Sequence, residues 1–409
     1  MKNEITQITV NESLKTPVKY ECDVCVAGGG VAGIAAAISA ARAAKKCGIP
    51  TKVMLLERSY MLGGLATAGL VTIYLAICDG MGHQICYGLG EELFKLSIEY
   101  GHEAMYPKAW LDGGTDEEKR NSRFMVQYNA QLFAISAERV LREEGVHILY
   151  GATASQVICE DGKISHVIIE GKGGREAIKV NRSVVDATGD ADLCKLSGAN
   201  TETFSEGNKL AAWYYGYGKG EFKLYMCGVH DIPDTEGNTE IPDKMRFSGL
   251  DTAELSRVTE ISHASLIDNL LERRKSIPDL IPTTIATIPE VRMTRRLAGA
   301  YTLGREERSY GDTVGVFPNW KERGPVYELP FSCLYGNEVK NLLTAGRCIS
   351  TDEPMWDITR VIPVCAVTGE AAGAAATLSS DMSKIDIKAL QEYLLSAGVN
   401  LSREIRENR

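Results

Sequence analysis

The sequence of 409 residues has no block of lysine and arginine and no basic tail. Lys and Arg together number 45 against 54 Asp and Glu, which gives a net charge of −9. Nucleic acids and anionic membrane surfaces attract proteins through dense positive charge. The sequence therefore argues against both as partners.

Long apolar segments are also missing. The stretch Met1 to Tyr20 is polar and lacks the apolar core of a secretory signal. The apolar helices predicted near Val31 and Val364 are too short to cross a bilayer, which takes about 20 consecutive apolar residues. We therefore expect a cytoplasmic protein without membrane insertion.

The eleven cysteines show no disulfide pattern, because they are odd in number and scattered from Cys22 to Cys365. Cys22 and Cys25 form one C-x-x-C, a spacing used in redox and metal sites. Both lie on or beside an apolar strand, so burial in a sheet is the favoured interpretation. No second C-x-x-C completes a tetrahedral site. We expect reduced core thiols, no metal and no iron–sulfur cluster.

The sequence does contain a glycine-rich turn between an apolar strand (24–27) and a small-residue helix (34–44). The turn, Gly28 to Gly33, matches G-x-G-x-x-G, whose glycines allow a tight turn, close approach to a pyrophosphate and close helix packing. The pyrophosphate then lies on the N–H groups of the helix N-terminus. A second strand (52–56) leads to Glu57, whose carboxylate accepts hydrogen bonds from an unphosphorylated ribose. These features predict a dinucleotide site, and the fingerprint alone leaves FAD and NAD open.

Further along, small residues at 62–70 suit close approach of the backbone to a flat ring. Alternating runs at 154–159, 164–170 and 175–180 are separated by glycine-containing turns and predict a β-meander. A separate apolar strand at 183–187 leads to a polar turn, at the strand end where open α/β sheets bind ligands.

The pattern becomes irregular between residues 205 and 316, which we interpret as a separate cap. Within it, Arg292, Arg295 and Arg296 form either a solvated basic edge or a site for a carboxylate or phosphate. Regular structure returns with a strand at 341–345 and a helix at 364–378, preceded by Pro363. The positive end of this helix suits an anion or the electron-rich edge of a reduced flavin.

These pieces in this order resemble the FAD-dependent oxidoreductase family, which has the FAD-binding fold of glutathione reductase. Within it they are similar to the branch with a Gly-Gly-x-Ala-Thr run after the ribose-binding Glu. The resemblance covers nearly the whole chain, and it favours FAD over NAD. The residues that carry it are Gly28 to Gly33, Glu57-Arg58, Gly63 to Thr67, Asp186 to Asp192, Arg292 to Arg296, Ala345 to Ser350 and Arg360 to Gly373.

The resemblance implies an α/β fold: a Rossmann-like FAD-binding domain with a β-meander, plus an α+β substrate or cap domain. A chain of this length also exceeds what one hydrophobic core usually supports. We expect the FAD-binding domain at 20–77, 126–204 and 326–385, the cap at 78–125 and 205–325, and a C-terminal helix and tail at 386–409.

Carried over residue by residue, the resemblance implies that the glycines and Glu57 hold the ADP half, and that Gly64 to Thr67 line the isoalloxazine. Many relatives have Gly-Asp where this chain has Gly346-Arg347. Arg347 is therefore expected to meet the pyrophosphate or ribitol, or to brace the Asp190 region. The full set of predicted cofactor-binding residues is Gly28, Gly30, Val31, Ala32, Gly33, Glu57, Arg58, Gly63, Gly64, Leu65, Ala66, Thr67, Ala154, Thr188, Gly189, Asp190, Gly346, Arg347, Val361 and Ile362.

The implied activity is hydride transfer between a small organic substrate and flavin N5. Arg360, together with Arg292 or Arg295, is expected to hold an anionic or carbonyl substrate. His83 is the candidate acid or base, against a purely structural role, and His83 or Cys86 is a candidate for covalent flavin attachment. Sugar or alcohol oxidation, a flavin-binding electron-transfer subunit and an NAD enzyme without flavin stay open. Oxygen, a quinone or a partner protein would exchange the electrons, and the chain could form a homo-oligomer.

Overall fold

A computed structural model describes residues 10–227 and 246–404 of the chain. Residues 228–245, within the segment predicted as the cap, therefore lie outside the description, as do the last five residues of the predicted tail. In the described ranges the strands are β1 Val18–Ala27, β2 Val53–Glu57, β3 Ile73–Tyr74, β4 Val126–Gln127, β5 His147–Tyr150, β6 Thr153–Glu160, β7 Lys163–Gly171, β8 Gly174–Asp186, β9 Thr201–Thr203, β10 Ala212–Gly218, β11 Glu221–Cys227, β12 Ile281–Ile285, β13 Arg295–Leu297, β14 Thr313–Pro318, β15 Val326–Pro330 and β16 Leu342–Thr344.

Helices pack against the main sheet and form part of the later segment. The α-helices of the described ranges are α1 Val31–Cys47, α2 Leu89–Ser97, α3 Lys108–Leu111, α4 Asp116–Asn121, α5 Ala130–Glu143, α6 Asp192–Ser197, α7 Thr252–Arg274, α8 Glu353–Thr359, α9 Ile362–Leu378 and α10 Ile387–Ser396.

The main sheet has seven strands in the order β5-β2-β1-β8-β7-β6, and β16 pairs with the last part of β8. Strands β5, β2, β1, β8 and β16 run parallel. Strands β6, β7 and β8 form the antiparallel meander that the turns predict. The chain therefore has the expected α/β fold, a Rossmann-like sheet with a meander attached.

One strand differs from the prediction. Residues 175–180 and 183–187 were expected as two strands, but β8 runs unbroken from Gly174 to Asp186. Its first part pairs with β7 and its last part with β16, while β1 pairs with both parts. A shift in register between Cys22 and Val24 of β1 lets one strand belong to both the meander and the parallel sheet.

The segment after residue 205 is more regular than its sequence pattern indicates. Strands β11, β10 and β12 form a separate three-stranded sheet. The long helix α7 packs on one face of it through Leu266 and Leu270. This helix has only five buried residues among its 23, so no apolar stripe marks it in the sequence.

Helices α1 and α9 pack side by side and in parallel, with their N-termini at the same edge of the sheet. Gly369 of α9 lies against Ala32 of α1, and Gly373 lies one turn further along against Ala36. The hydroxyl of Thr377 donates to the carbonyl of Ala40, continuing the same alignment (3.0 Å). Small residues allow the two backbones to approach closely, so the two helix ends are held next to each other.

The predicted domain boundaries stay a prediction. Helix α2, within the predicted cap segment 78–125, packs against α9 and α5. Its Leu93 and Phe94 belong to the same core as α1 and α9. Cys22 and Cys25 are both buried on β1, as the favoured interpretation of the C-x-x-C predicts.

Candidate functional site

A cleft of about 280 Å³ opens at the carboxyl ends of the parallel strands, between the N-termini of α1 and α9. Of the twenty residues predicted to bind the cofactor, eighteen line this cleft. The two others, Gly33 and Thr67, lie directly behind its wall. The lining predicted residues are Gly28, Gly30, Val31, Ala32, Glu57, Arg58, Gly63, Gly64, Leu65, Ala66, Ala154, Thr188, Gly189, Asp190, Gly346, Arg347, Val361 and Ile362.

The glycine turn before α1 has the shape that a pyrophosphate requires. Gly28 has φ +101°, and a Cβ there would lie 2.4 Å from the carbonyl oxygen of Ala187. A Cβ on Gly33 would lie 1.8 Å from the carbonyl oxygen of Gly28, so Gly33 allows the helix to pack on the turn. Gly30, the N-cap of α1, has open space beside it and no side-chain cap. The N–H groups of the helix end therefore face a space that an anion fits.

Glu57 lies at the end of β2, and its carboxylate is oriented by three hydrogen bonds. The N–H of Gly29 donates to Oε2 (2.9 Å), and the N–H and hydroxyl of Ser59 donate to Oε1 (both 2.7 Å). A carboxylate has about four lone-pair positions, so acceptor capacity remains for the hydroxyls of a ribose. The side chain is only 6% exposed and lines the cleft, as the fingerprint predicts.

The run Gly63 to Thr67 forms another wall of the cleft. Gly64–Ala66 is a 3-10 turn, and Thr67 supports it from behind because its hydroxyl donates to the carbonyl of Leu62 (2.5 Å). The hydroxyl of Tyr128 donates to the carbonyl of Ala66 (2.8 Å). These bonds fix a small-residue backbone next to the cleft, which suits a flat ring.

The second helix end in the cleft belongs to α9. Its first turn contains no acidic residue and its N-cap, Val361, provides no side-chain cap. Val361, Ile362 and Cys365 line the cleft. The N–H of Gly346 donates to the hydroxyl of Thr368 (2.8 Å) and joins the turn after β16 to this helix. A helix end of this kind attracts negative charge.

Arg347 joins the cleft to the segment predicted as the cap. Its Nη1 donates to the carbonyls of Val291 and Arg292, both at 2.7 Å, and its Nη2 lies 3.4 Å from Oδ1 of Asp190. These contacts brace the Asp190 region, and a contact of Arg347 with the pyrophosphate or ribitol stays a prediction. Gly189 has φ +85°, which favours glycine, and a Cβ there would lie 2.4 Å from Nη2 and displace the guanidinium.

Replacing Arg347 by methionine removes both hydrogen bonds to the carbonyls and leaves these acceptors partly buried. We expect a loss of roughly 2 to 3 kcal/mol in the free energy of unfolding, measured by urea denaturation. Arg347→Lys is expected to recover only part of it, because an ammonium cannot reproduce the planar fork. As a matched control, Arg305→Met removes an exposed ion pair with Glu322, which is expected to cost less than about 1 kcal/mol. Equal losses in Arg347→Met and Arg305→Met would contradict a bracing role.

Arg292 and Arg360, two of the predicted substrate-binding residues, both line the cleft. Arg360 lies between α8 and α9 and pairs with Asp357, with Nη2 2.6 Å from Oδ1. Burial and the positive charge of Arg360 lower the pKa of Arg292 to about 10. Arg292 thus stays charged at neutral pH, and two guanidinium groups contribute to one cleft beside a positive helix end.

The other predicted reactive residues do not line the cleft. Arg295 pairs with Asp192 (2.7 Å) and donates to the carbonyl of Asp190 (2.9 Å). His83 has a 42% exposed side chain and its Nδ1 lies 2.8 Å from Oδ2 of Asp79. Cys86 is buried with its Sγ 3.7 Å from the carbonyl of Val316. The cysteine that lines the cleft is Cys365.

Sequence reasoning missed several lining residues. Asp192 ends the motif Asp186 to Asp192 but is not among the predicted site residues, and burial with the neighbouring Asp186 and Asp190 raises its pKa to about 6. The other missed residues are apolar or small and carry no local signal. They include Val71, Ile73, Leu75, Gly249, Leu255, Ile288, Pro289 and Val291.

The described residues also bear on the presence of a metal site and of a membrane span. No group of three or more His, Cys, Asp or Glu there has an arrangement that could hold a metal ion. No single helix there is long and apolar enough to cross a membrane; α8 and α9 reach that length and composition only together, and they bend by 92° between them.

Comparison with known proteins gives one family. The model of the family described as FAD dependent oxidoreductase matches residues 23–215 and 316–394, which is more than half of the chain. No curated protein matches the sequence.

Several solved structures are similar to this chain. One is a geranylgeranyl bacteriochlorophyll reductase-like protein from Thermoplasma acidophilum (11% identity, 95% of this chain and 94% of that chain, TM-score 0.45). Another is the p-nitrophenol 4-monooxygenase PnpA from Pseudomonas putida (13% identity, 93% and 98%, TM-score 0.45). A third is THI4 from Thermovibrio ammonificans (17% identity, TM-score 0.30), where the match spans 44% of this chain and 63% of that one.

Proposed function

This chain belongs to the FAD dependent oxidoreductase family, and on that premise we propose that it transfers a hydride between a small anionic organic substrate and bound FAD. The observation that supports the substrate class is that Arg292 and Arg360 line the same cleft as the dinucleotide fingerprint. Guanidinium groups hold carboxylates by paired, charge-assisted hydrogen bonds. Sugar or alcohol oxidation would not require two such groups.

The residues present fit FAD. The turn at Gly28 and the N-terminus of α1 would hold the pyrophosphate, Glu57 the ribose, and the run from Gly63 the ring system. The N-terminus of α9 would stabilise negative charge on the ring. FAD, when bound, supplies two-electron oxidation and reduction, which amino-acid side chains alone do not provide.

The chain's own contribution is to bind and orient the substrate and to exclude water. Arg360 and Arg292 approach the cleft from two different segments, so together they fix an anion in position as well as binding it. Val71, Ile73 and Pro289 give the lining an apolar part that keeps water away. We propose no acid or base role for His83, because it does not line the cleft.

The first test is the visible absorption spectrum of the purified protein. We expect flavin bands at about 370 and 450 nm, with the colour passing into the supernatant after acid precipitation. Gly28→Val places a side chain against Ala187 and is expected to remove the bands, whereas Gly311→Ala, where a Cβ meets no atom within 4 Å, is expected to keep them. Colour in the precipitate would indicate a covalent flavin. A colourless protein that FAD does not reconstitute would contradict the proposal.

The physiological electron partner, a cytoplasmic location and a homo-oligomeric state stay predictions from the sequence. An electron-transfer subunit without its own substrate stays the alternative. Anaerobic reduction of the bound flavin by a small organic acid distinguishes the two, because a subunit without a substrate site of its own would not be reduced by such an acid.

A further inference from the structure

A second cavity, of about 350 Å³, lies beside the first and shares Arg292 with it. Its walls come from the chain around Phe204 to Ala211, from Arg246 and Met293 and from the start of α8. A volume of this size suits a small ligand. Because Arg292 belongs to both linings, a molecule in the second cavity would contact the same guanidinium that reaches the FAD cleft.

The wall at Arg292 is held by a buried polar side chain. Asn208 is 6% exposed, and its Oδ1 accepts from the N–H groups of Arg292 (3.0 Å) and Met293 (2.9 Å). Its Nδ2 donates to the carbonyls of Phe247 and Met293. Arg347 holds the other side of this segment through the carbonyl of Arg292. The backbone of Arg292, between the two cavities, is therefore fixed from both sides.

The second cavity also presents carboxylates. Glu353 accepts from the N–H and hydroxyl of Ser205 (both 2.8 Å), and Asp357 pairs with Arg360 and Lys321. Both carboxylates line the cavity. Each has acceptor capacity beyond these bonds, so the cavity offers hydrogen-bond acceptors near a positive guanidinium.

We propose that the second cavity, called the chamber below, extends the substrate site of the FAD cleft beyond Arg292, and that the extended site takes a small monocarboxylic acid that also carries a hydroxyl or ammonium group. The carboxylate binds Arg292 at the wall shared with the FAD cleft, and the donor group binds Asp357 or Glu353. This inference rests on the proposed function and names the substrate class for it.

The charges select this class over other anions. Three carboxylates, of Glu206, Glu353 and Asp357, line the cavity together with the cations Arg292, Lys209 and Arg246. A phosphate, with nearly two negative charges, would pair with the cations but meet repulsion from the carboxylates. A plain monocarboxylate would pair with Arg292 but leave the acceptors of the chamber without a donor. An acid with a hydroxyl or ammonium group satisfies both parts of the chamber at once.

The test uses the FAD-loaded, full-length protein and four probes: lactate, alanine, acetate and inorganic phosphate. Binding is followed by the visible spectrum of the flavin and by the thermal midpoint. We expect lactate or alanine to bind at least tenfold more tightly than acetate or phosphate. Arg292→Gln is expected to weaken that binding roughly 30- to 100-fold, the loss typical of a hydrogen-bonded charge.

Substitutions of Met293 test the chamber without changing the lining of the FAD cleft, because Met293 lines only the second cavity. Met293→Trp fills the chamber and is expected to abolish probe binding at unchanged FAD content, whereas Met293→Leu keeps the volume and the binding. Arg305→Gln, at an exposed ion pair, is the charge control. Equal binding by Met293→Trp and wild type, binding of phosphate as tight as lactate, or no binding by any probe would overturn the proposal.

Failure of the proposed function and failure of the chamber proposal give different results. A chain without FAD shows no flavin bands, but the thermal midpoint still reports probe binding to the chamber. If FAD is present and the chamber is not the binding site, the flavin bands remain and Met293→Trp leaves probe binding unchanged.

Discussion

Replacing Glu370 by glutamine is expected to make the protein more stable at pH 9 and to change little at pH 5. Glu370 is buried in the middle of α9, and burial raises its pKa from 4.5 to about 8. Its Oε2 accepts from the N–H of Leu89 at the start of α2 (2.8 Å). A glutamine keeps this acceptor but never becomes charged.

The direction of this pH dependence of stability follows from the raised pKa of Glu370. The folded chain holds the proton more tightly than the unfolded chain, so the stabilisation is fully present below about pH 4.5 and is lost as pH rises through 8. One pKa unit corresponds to 1.36 kcal/mol, so the free energy of unfolding of the wild type should fall by roughly 3 to 5 kcal/mol over this pH range. Glu370→Gln should not show this fall.

Urea denaturation at pH 5, 7 and 9 measures this difference. Glu306→Gln, at an exposed ion pair with Arg308, is the matched control and should follow the wild type within about 0.5 kcal/mol. If the stability of Glu370→Gln falls between pH 5 and 9 as steeply as that of the wild type, Glu370 is not the group that titrates.

The second large effect concerns the contact between α1 and α9. Gly373→Ala would place a Cβ 2.0 Å from the carbonyl oxygen of Ala36, and this atom belongs to rigid helix backbone. In an exposed helix the same change stabilises by about 1 kcal/mol. Here we expect it to destabilise by about 3 kcal/mol or more, because the helices must separate.

FAD retention should fall together with stability, since the N-termini of both helices line the cleft. The measurements are urea denaturation and the ratio of flavin to protein absorbance after gel filtration. Gly311→Ala, in open space, should change neither value. A Gly373→Ala protein with wild-type stability and full FAD content would show that the two helices can move apart without cost.

The part of the fold that local sequence determines could be predicted. The glycine turn, Glu57 and the meander turns each have a short-range physical signature, and the structure has them at the expected residues. The unbroken strand β8 had no such signature, because polar Asn181 and Arg182 interrupt the apolar pattern where the strand changes neighbours. Its continuity depends on β1 and β16, which lie far away in the sequence.

The site shows the same limit. Most of the predicted cofactor residues line the cleft, because they follow strand ends that the fold brings together. His83 was chosen from its chemistry alone, and its position beside Asp79 depends on packing that one sequence does not reveal. The second cavity combines Asn208, Met293 and α8, which are separated by more than 50 residues each. No sequence pattern connects them.

The parallel alignment of α1 and α9 also has an electrostatic consequence. Each helix carries about half a positive charge at its N-terminus, and the contacts of Gly369 and Gly373 hold these two ends beside each other at one cleft. Like partial charges repel, so a chain without cofactor keeps an unfavourable interaction that its own packing cannot relieve. A bound anionic cofactor neutralises both ends together, and every molecule that binds the folded chain alone shifts the folding equilibrium towards it. The affinity for cofactor and the resistance to unfolding therefore arise from the same pair of helix ends, and loss of cofactor should precede or accompany unfolding.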